Sequence, residues 1–470
     1  MNKFKVFLKN MFFSIFSNAL NLVVTAATSL LIPLLLGSSV VQYGYYQLYL
    51  FYIAYVGFFH FGLCDGVLLK EGGKEYSRLS SREYSFQLIA LALFETLVST
   101  LIIVFLNLKK VNDDYLFIGI AFGINLIVFL PRNLLAYILQ ATNRIKESSL
   151  ITIIGRTIYL LSLIVFCFFG INNYKCFIIG DLIGKTVALI YAMYQCRDIV
   201  LSRPIELISG LTITLENISS GIKLMLASIS GMVITGIVQM SIQTHWSIEI
   251  YGEISLTLSL TNLVLTFISA IAIVLYPTLR RLSGNTAIGL YDHIRSIIMP
   301  LLMMSLFFCK PLQIVLLKIF PQYYEGLLFL PILFPVCIFS AKVSLLVQTY
   351  MQVFRMEKDI LIINVVSIFV TLLFTCSSVY IFNSLFLTVL TILISQIFRC
   401  VYAEYVLSKK IAIDYKTNSF VEIVIVVLFI ICNVNNSAAQ AMLLYSIIYA
   451  VYLFVNRTKI FAAITYIRNI

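Results

Sequence analysis

Charge is scarce in this sequence. Asp, Glu, Lys and Arg supply only 11% of its 470 residues, less than half the roughly 25% of ordinary soluble domains, and a water-soluble fold is excluded. Histidine is rarer still, with three residues, His60, His245 and His293. They lack the spacing of a metal site, and each reads as an interfacial or packed side chain. The nine cysteines, at 64, 167, 176, 196, 309, 337, 376, 400 and 432, include no CxxC pair and no partnering His cluster. Most sit inside apolar stretches as small packing or lipid-facing residues. No P-loop is present, so the chain does not hydrolyse ATP itself, and no other soluble-enzyme motif or cofactor motif is found. The net charge of +12 would suit nucleic acid only if Lys and Arg clustered on one folded face. They fall in the connections between apolar runs instead, so no nucleic-acid partner is expected.

What the chain has in abundance is apolar sequence: 61% hydrophobic residues and a mean hydropathy of +0.99. Runs of 20 or more apolar residues recur from end to end, and each can cross a hydrocarbon core ~30 Å thick at 1.5 Å per residue. A membrane β-barrel would need alternating segments of ~10 residues, and these runs are longer and apolar on every face. The expected fold is therefore all-α, a polytopic helical membrane protein of about 14 transmembrane helices. The spans are placed at 11–36, 46–66, 86–106, 116–140, 150–169, 176–195, 221–246, 253–276, 294–319, 327–352, 360–382, 384–406, 420–434 and 438–455. The first follows Lys3, Lys5 and Lys9 without an A-x-A-like cleavage site, and it reads as a retained helix rather than a secretory signal.

With a cytoplasmic N-terminus, the inner segments hold Lys3, Lys5, Lys9, Lys70, Lys74, Arg78, Arg82, Arg144, Lys146, Arg197 and Arg203 in the first half. Arg280, Arg281, Arg355, Lys358, Lys409, Lys410, Lys416, Arg457, Lys459 and Arg468 follow in the second. The outer side holds only Lys109, Lys110, Lys175, Lys310 and Lys318. This asymmetry predicts that both termini face the cytoplasm and that the span count is even. Trp246, the single tryptophan, falls at the outer end of span 7, where an amphipathic ring anchors well.

The longest inner connection, 196–220, divides the first twelve spans into two sets of six with the same orientation, as a parallel repeat requires. A short trace of one exists: Val41-Gln42-Tyr43-Gly44-Tyr45 enters span 2 as Glu249-Ile250-Tyr251-Gly252-Glu253 enters span 8, 208 residues later. The expected organisation is an N-terminal six-helix lobe (1–200), a cytoplasmic linker (201–220), a C-terminal six-helix lobe (221–408), and an extra helix pair with a cytoplasmic tail (409–470).

Seven cations fall inside the spans: Arg132, Arg156, Lys185, Lys223, Arg295, Lys342 and Arg399. A charge at mid-bilayer costs ~2.5–3.5 kcal/mol even on the lenient insertion scale, so such residues face water, a partner or the interface. Lys223 and Arg295 lie near the inner boundary, within snorkelling reach. Arg156 and Arg399, about two turns in, are open to either reading. Arg132 and Lys342 lie about 12–15 Å from the inner helix ends, beyond comfortable reach, and are expected to line a cavity. Lys185 has Asp181 at i−4 as an internal partner. Glu95 has none; it is either a buried protonated acid or a proton or cation site. Glu95, Asp181 and Lys185 are thus the candidate ion-coupling residues. Pro331, Pro335 and the pair Lys310-Pro311 are expected to break helices. Twenty-eight tyrosines supply rings for sugar stacking or interface anchoring. Should the inner-half cations converge, they form a positive funnel whose natural ligand is a phosphate or diphosphate from the inner leaflet.

The segment Phe59-His60-Phe61-Gly62-Leu63-Cys64-Asp65-Gly66-Val67-Leu68-Leu69-Lys70-Glu71-Gly72-Gly73-Lys74-Glu75-Tyr76 resembles the second-helix exit of polysaccharide flippases. These are the O-antigen and capsule repeat-unit translocases of the multidrug/oligosaccharidyl-lipid/polysaccharide export superfamily. Leu36-Gly37 with Tyr43-Gly44, and Phe320-Pro321-Gln322-Tyr323-Tyr324, are similar to that family as well. The resemblance implies two six-helix lobes around a cationic cavity that moves undecaprenyl-diphosphate-linked oligosaccharide from the cytoplasmic to the outer leaflet of the bacterial inner membrane. It implies Arg132, Arg156, Lys223, Lys342 and Arg399 as substrate-binding cavity residues. Its partners would be the lipid-linked glycan, membrane lipid, and a polysaccharide polymerase and chain-length regulator of the same pathway. Fourteen spans, rather than the twelve common among O-antigen flippases, is a departure shared with lipid II flippases.

The rival of the same fold is a cation-coupled small-molecule or multidrug exporter working through Glu95 or Asp181. A membrane-embedded polymerase or ligase would display a large external loop with catalytic residues; no connection here is long enough, and the chain is read as a non-enzyme. The major facilitator motif G-x-x-x-D-R/K-x-G-R/K is not reproduced between Gly62 and Lys74.

Overall fold

The computed structural model describes residues 3–37, 39–281, 284–411 and 414–468, and side chains within 10–37, 39–266, 289–411, 414–434, 436–463 and 465–466. The side chains of Lys3, Lys5, Lys9, Arg280, Arg281 and Arg468, counted among the inner charges, lie outside the described ones. Among the described residues all regular structure is helical. The first part of the chain forms α1 (Lys3–Leu35), α2 (Val40–Ala54), α3 (Leu63–Glu71), α4 (Ser81–Leu108), α5 (Asp113–Ala141), α6 (Ile145–Phe168) and α7 (Tyr174–Gln195). After them come α8 (Leu207–His245), α9 (Ile248–Arg281) and α10 (Gly284–Met304). The last third forms α11 (Leu330–Val353), α12 (Glu357–Ile381), α13 (Leu385–Ser408), α14 (Tyr415–Asn435) and α15 (Ala438–Arg468).

Twelve helices among the described residues are long and apolar enough to cross a bilayer, and a bent pair makes thirteen. The remaining expected span, 253–276, lies in α9, a helix of 34 residues. Short polar residues start several of these helices. Asn112, Asn173 and Asp414 each accept a hydrogen bond from a first-turn backbone N–H at 3.2, 2.9 and 3.3 Å, replacing partners that the helix itself cannot supply.

Two compact units divide the chain, Met1–Ile229 and Ser230–Ile470, with the boundary inside α8. Residues 207–220, expected in a linker, are helical and form the first part of α8. In the first unit α5 is central: Leu126, Leu130, Leu134 and Ile138 recur at i, i+4 and pack with Val56, Leu63 and Val67. In the second unit α11 is central, with 89% of its most apolar window buried, whereas α15 is peripheral at 11%.

Span 2 is not straight. Phe61 and Gly62 both take left-handed backbone, φ 49° and 89°, and the chain bends by 55° between its two helical pieces. The second piece, α3, then lies backbone against backbone on α8. A Cβ on Gly66 would stand 1.8 Å from the Asn217 carbonyl oxygen, and one on Gly221 2.1 Å from that of Gly62. Glycine is required at both positions, since any side chain would separate the helices.

Proline interrupts the second unit as expected. The 330–353 stretch is a series of short helical pieces around Pro331 and Pro335, followed by a wider π turn at Val343–Val347. Before it, the Gly289–Ile319 span narrows to a tight turn at Ser305–Phe308, just ahead of Pro311. These irregular turns free carbonyls and rotate the flanking side chains.

Candidate functional site

Within the first unit, polar side chains from four helices meet inside the membrane-spanning region. The i, i+3 spacing of Tyr43, Tyr46 and Tyr49 puts three buried phenols along α2. Tyr49 donates to Asp181 Oδ2 at 2.7 Å and receives a hydrogen bond from Asn125 Nδ2 at 3.2 Å. Tyr46 shares a 2.9 Å hydrogen bond with Tyr159 of α6. Lys185 reaches back one turn along α7 and pairs with Asp181 at 2.7 Å, the i,i+4 contact read from the sequence.

Arg132 of α5 and Arg156 of α6 stand within electrostatic reach of this pair. Both are half-buried. The Arg132 guanidinium lies over the Phe129 ring at 4.6 Å, and Lys185 lies 5.9 Å from the centre of the same ring. Arg132 Nε is buried without a hydrogen-bond partner among the described residues. Three cations therefore share one carboxylate in a low-dielectric setting. Such an arrangement is unfavourable by itself and favours an anion or water beside the arginines.

The second unit solves its charge problem differently. Lys342 of α11 is fully buried, and its depth suggested a cavity-lining cation. Its ammonium instead sits between two carboxylates, 2.6 Å from Glu404 Oε2 on α13 and 2.6 Å from Glu422 Oε2 on α14. Arg295 of α10, expected to snorkel to the headgroups, is also buried. It pairs with Glu422 and lies 3.8 Å from Glu404. Ser419 and Tyr291 both donate to Glu404. Two cations and two carboxylates make a neutral network. Both departures have one physical cause: helices far apart in sequence supply the counter-charges, which an inventory of cations along single spans does not reveal.

Arg399 of α13 is half-buried and donates from Nε to Asn364 Oδ1 at 3.0 Å. Asn364 Nδ2 in turn donates to Ser230 Oγ at 2.7 Å. The guanidinium lies close to Gly231, where a Cβ would stand 3.0 Å from one of its terminal nitrogens. Lys223 is exposed on α8 and joins neither cluster. Glu95 is fully buried in α4, and neither of its oxygens has a hydrogen-bond partner among the described residues. Sequence reasoning overlooked Glu404 and Glu422. The signal was there, since both are acids inside or at the start of apolar spans.

No family model matches the chain, and no curated protein matches its sequence. Solved structures do match. The lipid II flippase MurJ, in an inward closed conformation, superposes with a TM-score of 0.63 at 12% identity, over 94% of this chain and 98% of that one. A multidrug resistance MATE family transporter of the MOP superfamily, in an outward-facing conformation, aligns at a TM-score of 0.44 and 14% identity over 86% of this chain and 96% of that one. The chain is a polytopic helical membrane protein. It shares the fold of the lipid II flippase over nearly the full length of both.

Proposed function

We propose that the protein is a flippase for undecaprenyl-diphosphate-linked oligosaccharide repeat units of the O-antigen or capsule type. It carries them from the cytoplasmic to the outer leaflet of a bacterial inner membrane, with both termini in the cytoplasm. The observation that carries this reading is the uncompensated positive charge in the first unit, where Arg132, Arg156 and Lys185 face the single carboxylate of Asp181. A diphosphate offers several acceptor oxygens and the negative charge that this cluster lacks, and guanidinium groups bind it in bidentate fashion. The fold of a lipid II flippase, whose name denotes another lipid-linked cargo, supports the same class of substrate. In the first unit the exposed Lys223 is a further phosphate contact in this reading; Arg399, held by Asn364, belongs to the second unit. Lys342 acts instead through the network that holds it. The polysaccharide polymerase and chain-length regulator are the partners that would receive the translocated unit.

The experiment is reconstitution into vesicles with a fluorescent undecaprenyl-diphosphate oligosaccharide and a membrane-impermeant quencher. Wild-type protein should expose the internal label. Arg132→Gln and Arg156→Gln, at equal incorporation, should slow exposure by about 10–100-fold, as expected when a charge-assisted hydrogen bond is lost. A second reading, cation-coupled export of a small molecule, is favoured by Glu95, buried and without a hydrogen-bond partner among the described residues. It prevails if the vesicles leave the labelled lipid in place but expel a cationic dye under a proton or sodium gradient, with the activity lost in Glu95→Gln.

A further inference from the structure

The second unit contains a cavity of about 390 Å³ between α10, α14 and α15. Its wall is built in layers, because each helix contributes one face at three- and four-residue steps. Asp292 and Asp414 are outermost, and both are exposed. Among the described residues neither is in an ion pair. About one turn deeper come Arg295, Asn418 and Asn456. Each amide gives one N–H to a nearby backbone carbonyl, Asn418 to Asp414 at 2.6 Å and Asn456 to Tyr452 at 3.0 Å, and has a second N–H to offer. Arg295 is only 6% exposed; a terminal nitrogen pairs with Glu422, but its Nε has no hydrogen-bond partner among the described residues. A buried guanidinium donor without an acceptor is costly, so it calls for an oxygen in the cavity. Glu422, Tyr452, Ser296 and Thr417 also line it, together with apolar side chains, among them Met299, Val421 and Val455.

The wall is fixed in place. Tyr449 and Tyr445 of α15 donate to the carbonyls of Pro300 and Met303 on α10 at 3.1 and 2.7 Å. At the mouth His293 stacks on Tyr466, with ring centroids 4.3 Å apart. The mouth lies at the N-terminal end of α14, and both α14 and α15 are long and apolar enough to cross a membrane.

We infer that this cavity binds the headgroup of a zwitterionic phospholipid of the ethanolamine type. Carboxylates outermost, neutral and guanidinium donors one turn in, and apolar side chains alongside reproduce the order of ammonium, phosphate and acyl chain in such a lipid. The ammonium pairs with Asp292 and Asp414. One phosphate oxygen accepts from Arg295 Nε and others from the Asn418 and Asn456 amides, with Lys459 at the mouth adding positive charge. Glu422 does not repel the phosphate strongly, because its charge is already taken by Arg295 and Lys342. An anionic lipid without the amine would leave both mouth carboxylates unpaired and facing its negative charge. This site is separate from the first-unit cluster and does not depend on what the protein transports.

The test is native mass spectrometry of the purified full chain, offered equal amounts of palmitoyl-oleoyl phosphatidylethanolamine and phosphatidylglycerol. Wild-type protein should retain one phosphatidylethanolamine with about tenfold preference. The double substitution Asp292→Asn and Asp414→Asn should remove the preference while keeping the fold, because both residues are exposed and asparagine still caps α14. Free phosphoethanolamine at millimolar concentration should not displace the lipid. Equal retention of both lipids by the wild type, no retained lipid, or an unchanged preference in the double variant would each overturn the proposal. Displacement by free phosphoethanolamine would overturn the lipid assignment in favour of a soluble ligand.

Discussion

Substituting Lys342 with methionine isolates the energetic role of the second unit's ion network. The side chain is fully buried, with its ammonium 2.6 Å from each of two carboxylates on different helices. Methionine keeps the length and apolar stem but removes the charge, leaving Glu404 and Glu422 to share only Arg295. Breaking a buried ion pair by deleting one partner typically costs ~3–5 kcal/mol, chiefly because the remaining charge stays desolvated and unpaired. For a unit of this size each kcal/mol corresponds to about 2–4 °C, so a fall of roughly 6–20 °C in the unfolding midpoint is expected. Fluorescence-detected thermal unfolding of purified protein in detergent measures it. The double variant Lys342→Met with Glu404→Gln restores neutrality around Arg295 and Glu422 and should recover most of the loss. If Lys342→Met unfolds within 2 °C of wild type, or the double variant is no more stable than the single one, the network is not what fastens α14 to α11 and α13.

Gly66→Ala should lower membrane expression and thermal stability sharply, because its Cβ would stand 1.8 Å from a backbone carbonyl of α8. Gly289→Ala, whose Cβ meets nothing within 4 Å, should be silent in the same assay. Equal loss in both would show that the α3–α8 backbone contact is not the constraint. Reporter fusions at Asn173 and Asn383 should read as external and those at Arg144, Arg203 and Lys358 as cytoplasmic; an external signal at Arg203 would overturn the charge-based orientation.

Much of the architecture could be read from composition and periodicity. Apolar runs of membrane length predict helices because a backbone in lipid has no other way to satisfy its hydrogen bonds. The breaks near Pro311, Pro331 and Pro335 follow from the missing N–H of proline. The Asp181–Lys185 pair needed only helical geometry. The bend at Phe61-Gly62 was harder to foresee: the glycines were visible, but their purpose depends on α8, some 155 residues away, passing close enough to touch the backbone.

The fate of the buried cations divides along the same line. Sequence by itself determined that this is a helical membrane protein with more cations inside its spans than lipid tolerates, because those facts depend on composition and on intervals within one helix. Only the tertiary structure decided which cations are neutralised. Lys342 and Arg295 find Glu404 and Glu422 across four interhelical contacts, while Arg132 and Arg156 are left with one carboxylate already engaged by Lys185. A side chain's charge is written in the chain, but its electrostatic energy depends on distances of a few ångströms to groups tens or hundreds of residues away, and only packing sets those distances.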